Sequence, residues 1–187
     1  MAIDRNGNNH KAAGRPDGGQ YAPKTGQGTD DDLESGTRAA LGIAGHWLNG
    51  QRVAARGAAD ATMGDDAWYT NKGRELGYEY ADAIVDAAIH ADDIPAGTTL
   101  TDTAFDDDAL AEYLEDLDAI SSPDDLRETA AYATEGVDAP IARADCELEI
   151  MERLAVARMC KTYDDDSMHR AMGFASAIID ARDMLRR

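Results

Sequence analysis

The chain is short of cysteine, of lysine and of long apolar runs, and each shortage excludes something. Its 187 residues contain two cysteines, Cys146 and Cys160. On a segment that reads as one helix these lie roughly 21 Å apart at ~1.5 Å per residue, so they cannot bridge to each other there. Their spacing fits no zinc motif, and they read as small buried apolar side chains. No run of about 18 apolar residues exists, and the first 30 residues hold no apolar h-region. The sequence therefore predicts no membrane span and no secretory signal, and a cytoplasmic protein. Glycine-rich phosphate loops and a serine nucleophile elbow are also missing, which leaves nucleotide-cofactor and serine-hydrolase chemistry without an anchor and predicts no cofactor. Positive charge is scarce: 18 Lys+Arg, only four of them Lys, stand against 37 Asp+Glu, for a net −19. A duplex or an anionic membrane would repel that charge, which argues against direct nucleic-acid or lipid binding.

What remains is a helical pattern behind a polar arm. Residues 1–29 combine Gly7, Gly14, Gly18, Gly19, Gly26 and Gly28 with Pro16 and Pro23, show little apolar periodicity, and read as a flexible, mildly basic arm with a turn at Arg15–Gly19. Residues 30–187 read as one all-α domain of five or six helices in a compact bundle. A first helix, capped by Thr29, carries Leu33, Ala40, Leu41, Ala44, Trp47 and Leu48 and is weakened by Gly36, Gly42 and Gly45. A second, near Asp66–Ala91, aligns Leu76, Tyr80, Ala83, Ile84 and Ala87. A Thr-rich stretch then leads to a third helix near Asp106–Ile120 with Leu110, Tyr113, Leu114 and Leu117. Ser122-Pro123-Asp124-Asp125 writes the start of a fourth, ending near Gly136. Pro140 opens a fifth with Ile141, Leu148, Ile150, Met151, Leu154, Val156 and Met159. Asp164-Asp165-Asp166 opens the last, with Met168, Met172, Ala175, Ile178, Ile179 and Met184.

The acidity is local. Between Asp60 and Asp138 there are 22 acidic and three basic side chains, a difference of −19, while the rest of the chain is neutral. On a helical wheel Glu75, Glu79, Asp82, Asp86 and Asp93 share one face, opposite Tyr80 and Ile84. Glu75 to Asp86 spans ~16 Å of helix, so four carboxylates recur about every 5 Å, against ~3.4 Å per phosphate of one DNA strand. Asp108, Glu112, Glu115 and Asp116 sit across from the apolar set of the third helix, and Asp65, Asp66 and Trp68 begin the second. Such a surface suits a DNA mimic that occupies the basic groove of a nucleic-acid-binding protein. The aromatic anchors expected there are Trp68 and Tyr78, with Tyr80 in the core. The competing readings are an ordinary solvated face, or acidity tuned for solubility or salt.

Two resemblances bear on this choice. Asn9-His10-Lys11 followed by Gly14-Arg15-Pro16-Asp17-Gly18-Gly19-Gln20-Tyr21-Ala22-Pro23-Lys24 resembles a short segment at the ends of small actinobacterial proteins, including those of phages and mobile elements. It implies an accessory protein of a mobile element, a setting where acidic anti-CRISPR and anti-restriction inhibitors occur. The partner implied is a basic nucleic-acid-binding protein such as a CRISPR effector or a restriction enzyme. Glu149 and Glu152, with Asp180 and Asp183, are similar to the paired motifs of MazG-type nucleotide pyrophosphohydrolases. That family's pattern is E-E-x-x-E followed by E-x-x-D, and here the adjacent second Glu is missing and Asp180 replaces the later Glu. The resemblance implies a four-carboxylate Mg²⁺ site between two antiparallel helices. An acidic antitoxin-like interaction module is a further alternative. His46, His90 and His169 read as partly buried, hydrogen-bonded side chains. Cys160 and His169 lack the third member and oxyanion hole of a nucleophilic site.

Overall fold

A computed structural model describes residues 2–3, 9–10, 30–95, 97–116, 122–162 and 164–187. The chain divides into two compact units, Met1–Gly36 and Thr37–Arg187. In the first, β1 (Ala2–Ile3) pairs antiparallel with β2 (Asn9–His10), Ala2 opposite His10 and Ile3 opposite Asn9. The expected turn at Arg15–Gly19 and the Thr29 cap lie outside the described residues.

The remainder is helical: α1 (Asp30–Ala61), α2 (Asp66–Ile89), α3 (Leu100–Ala104), α4 (Asp107–Asp116), α5 (Pro123–Ala133), α6 (Pro140–Met159) and α7 (Asp165–Leu185). The described residues thus hold seven helices rather than five or six, because the Thr-rich stretch forms α3. Its cause is local. Thr99 and Asp102 form a capping box, and the α5 start repeats it with Ser122 and Asp125. Asp164 caps α7 through Ser167 N at 2.9 Å. Leu117 and Ile120, expected in the third helix, lie outside the described residues.

Three helices form the centre. Tyr69, Gly73 and Gly77 of α2 meet Arg170, Phe174 and Ala177 of α7 in that order, so the two helices run parallel. They touch backbone to backbone. A Cβ added at Gly73 would lie 2.0 Å from the Arg170 carbonyl oxygen, and one at Gly173 would lie 2.0 Å from that of Thr70. Only glycine permits this approach, and the two helices carry matching small-residue repeats, Gly73–Gly77–Ala81 and Gly173–Ala177–Ala181. α6 returns antiparallel to α7, placing Leu148, Met151 and Ala155 in the core. Tyr80 is fully buried, its ring stacked on Phe105 at 4.9 Å and set edge-on to Tyr113 at 5.7 Å.

Several expected core positions face water instead. Val156, Met172 and Ile179 are exposed, whereas Gly173, Phe174 and Ala177 fill the seam with α2. The glycine contact rotates α7 so that its small side turns inward. Cys160 is exposed at the C-cap of α6 and Cys146 half-buried; both are free, so neither is the fully buried side chain expected. His46 and His90 are also exposed, not partly buried. Among the described residues no helix is long and apolar enough to cross a membrane.

Candidate interaction surface

The acidic stripe read along α2 is in large part an internal seam. α1 lies antiparallel on that side of α2, with Leu41, Ala44 and Leu48 buried, and its arginines meet the stripe in reverse order. Arg56 Nε lies 2.5 Å from Glu75 Oε1 and Arg52 Nη1 lies 3.9 Å from Glu79 Oε1; beyond the end of α2 and outside the stripe, the exposed Arg38 Nη2 lies 3.3 Å from Asp92 Oδ2. Glu75 is 3% exposed and also accepts from Lys72 Nζ at 2.6 Å, so it is no surface carboxylate. Burial opposes its charge, but the hydrogen bonds from Lys72 and Arg56 outweigh that and hold its pKa below the usual carboxylate value. Asp82 is half-buried near Gly45 of α1. Desolvation, reinforced by Asp86 and Glu79 and opposed by Arg52, pushes its carboxyl upward.

Tyr78 is buried as well, not an exposed anchor. Its hydroxyl donates to Asp180 Oδ2 at 2.7 Å, and its ring meets Trp47 edge-on at 6.1 Å. Burial, reinforced by Asp180, pushes the phenol up to about 12. The wheel missed both Glu75 and Tyr78 because it assumed one buried face for α2, whereas α7 and α1 cover two. Asp93 leaves the face too, since α2 ends at Ile89 and Asp93 belongs to a following 3-10 turn. Of the five stripe residues Asp86 and Asp93 stand exposed, and Glu79 is partly so. Asp65 and Asp66 are exposed at the start of α2; Trp68 is half-buried, its ring edge-on to Tyr69 at 4.8 Å.

The paired carboxylates of α6 and α7 also have an occupant. The two helices are antiparallel, and the Arg182 guanidinium fills the space between the α6 carboxylates. Its Nε donates to Asp145 Oδ1 at 2.9 Å, its Nη2 to Glu149 Oε2 at 2.7 Å, and its Nη1 to Glu152. Asp180 faces Tyr78 and Arg74 instead, and Asp183 is exposed, so the four acids do not converge. Among the described residues no group of His, Cys, Asp or Glu is arranged to hold a metal ion. Glu147, two residues before Glu149, turns the other way. It is buried and accepts from Leu100 N at 2.8 Å, Thr101 N at 2.7 Å and Thr101 Oγ1 at 2.8 Å, capping α3 from across the core. Desolvation raises its pKa against the opposing pull of those bonds.

Beside Asp65, Asp66, Asp86 and Asp93, a denser set of carboxylates reaches open solvent on α4 and α5. Asp106, Asp107, Asp108, Glu112 and Glu115 are exposed along one helix, with Asp124, Asp125 and Glu128 exposed on the next; the Asp116 side chain lies outside the described residues. Leu110, Leu114 and Leu126 point inward and fix which sides face out. One base belongs to this region. Arg127 places Nε 2.7 Å from Asp102 Oδ1 and Nη1 2.6 Å from Asp107 Oδ1, with Asp124 at 4.0 Å. The carboxylates therefore stand at distances that grip a guanidinium from several sides. Asp108, Glu112 and Glu115 form no ion pair with a described residue. No family model, curated protein or solved structure matches this chain.

Proposed function

We propose that this protein acts by binding rather than catalysis. It presents the α4–α5 carboxylates to the basic nucleic-acid-binding surface of a defence or DNA-processing protein, such as a CRISPR effector or a restriction enzyme, and competes there with nucleic acid. The observation that carries this reading is the row Asp108, Glu112 and Glu115, exposed and in no ion pair with a described residue, beside a cluster that already grips Arg127. Their turns of helix span ~10 Å, comparable to three phosphates of one strand at ~3.4 Å each. The charges lie within a Debye length of about 8 Å, so they repel one another until a polycation neutralises them. The test is capture of a partner from bacterial lysate, released in parallel by duplex DNA and by salt, for the parent and for Asp108→Asn/Glu112→Gln/Glu115→Gln. The reading requires a nucleic-acid-binding protein that DNA displaces and that the triple variant retains about tenfold less well. A partner indifferent to DNA, or held equally by the variant, overturns it.

A further inference from the structure

A cavity of about 630 Å³ opens where the C-terminal end of α5 meets the loop before α3. Its size falls among ordinary ligand pockets. Tyr132, on its edge, is 81% exposed, the most exposed large hydrophobic side chain among the described residues. Around it stand Glu128, Glu135 and Asp138, all exposed and none in an ion pair with a described residue. The one base lining the cavity, Arg143, is committed to the wall, donating from Nη2 to the Thr98 carbonyl at 2.8 Å. An aromatic face beside three carboxylates selects a cation and repels phosphate or carboxylate ligands. Among the described residues no such group of acids is arranged to hold a metal ion, which leaves an organic cation.

We propose that this cavity takes an arginine side chain of the basic partner, its guanidinium laid on the Tyr132 ring and hydrogen-bonded to the surrounding carboxylates. The inference rests on the binding role assigned above and adds to it a specificity that diffuse acidity lacks. Arginine is preferred to lysine because the planar guanidinium stacks on a ring while its edge donates to carboxylates; an ammonium is a compact, strongly hydrated charge.

The experiment titrates the full chain at low salt with hexaarginine and with hexalysine, followed by calorimetry and amide chemical shifts. The parent binds hexaarginine about fivefold more tightly than hexalysine, with shifts at residues 132–138. Tyr132→Ala, a change on the surface, brings arginine binding down to the lysine level. Glu112→Gln/Glu115→Gln weakens both peptides equally and keeps the preference. If the parent shows no preference, or Tyr132→Ala retains it, the cavity assignment is overturned, while weakening by Glu112→Gln/Glu115→Gln still upholds the acidic surface. If neither peptide binds, the binding role itself falls.

Discussion

Many acids of α2 and α6 meet different surroundings from those of α4 and α5. On α2 and α6 five carboxylates turn toward other helices and find arginines, Arg56 at Glu75, Arg52 at Glu79, and Arg182 at Asp145, Glu149 and Glu152, while Asp66 and Asp86 of α2 stay exposed. On α4 and α5 the carboxylates turn to water and outnumber the single Arg127. Buried or half-buried pairs act as structural clamps whose value shows when one member is removed. Asp108, Glu112 and Glu115 repel each other and make no ion pair with a described residue, which leaves them free to serve a partner. Acidity read along a helix does not by itself tell a solvated face from an internal seam.

The widest gap between the two regions should appear on removing Arg182. Arg182→Met leaves three carboxylates facing one another at the α6–α7 seam and should cost roughly 3 kcal/mol, at the lower end of the range for a broken buried pair because water reaches the acids. Urea denaturation measures it; a loss under about 1 kcal/mol would dissolve the distinction between clamp and surface. Glu75→Gln should cost less, about 1–2 kcal/mol, since Arg56 and Lys72 can turn to solvent once their buried partner is neutral.

The two regions also separate by pH. Glu75 has a lowered pKa, so its contribution is present above the ordinary glutamate value near 4.3 and is lost as pH falls through its folded value. Glu147 has a raised pKa, so its contribution is present below that ordinary value and is lost as pH rises through its folded one. Protonating exposed acids also relieves the repulsion of a −19 chain. The melting temperature should therefore peak on the acid side of neutrality and fall again below about pH 4. Glu75→Gln should flatten the acid limb. A melting temperature that climbs steadily from pH 4 to 7 would contradict this assignment of the two glutamates. The smallest effect belongs to the open surface. Asp108→Asn/Glu112→Gln/Glu115→Gln removes the like-charge pairs Asp108–Glu112, Glu112–Glu115 and Glu112–Asp116 at helical spacing, against the loss of one first-turn carboxylate, and should raise stability by about 0.5 kcal/mol while weakening binding. Destabilisation by that variant would mean the α4 face is structural after all.

Much of the fold was legible along the chain. The second, fourth, fifth and sixth expected segments match α2, α5, α6 and α7 within a few residues, because hydroxyl and Asp caps, Pro at the first turn and a terminal glycine act within one turn of helix. Gly136, with φ +73°, lies three residues beyond α5 as such a stop. Part of the candidate surface was legible as well: Asp108, Glu112 and Glu115 lie outward as their wheel predicts. Glu75 and Tyr78 were not. Which of two covered faces a residue meets depends on what the chain places there later or earlier, and α1 is joined to that decision only in three dimensions. A signal for the α2–α7 seam was present and unread, the paired repeats Gly73–Gly77–Ala81 and Gly173–Ala177–Ala181, which mark close helix approach.

Composition and local pattern alone determined a helical, strongly acidic chain with its charge between Asp60 and Asp138, since propensity, capping and net charge are properties of neighbours in sequence. Tertiary structure decided which of those acids were spent on arginines and which were left to solvent. It did so because an ion pair across helices depends on which helices meet and at what crossing, as α1 meets α2 and α6 meets α7 here.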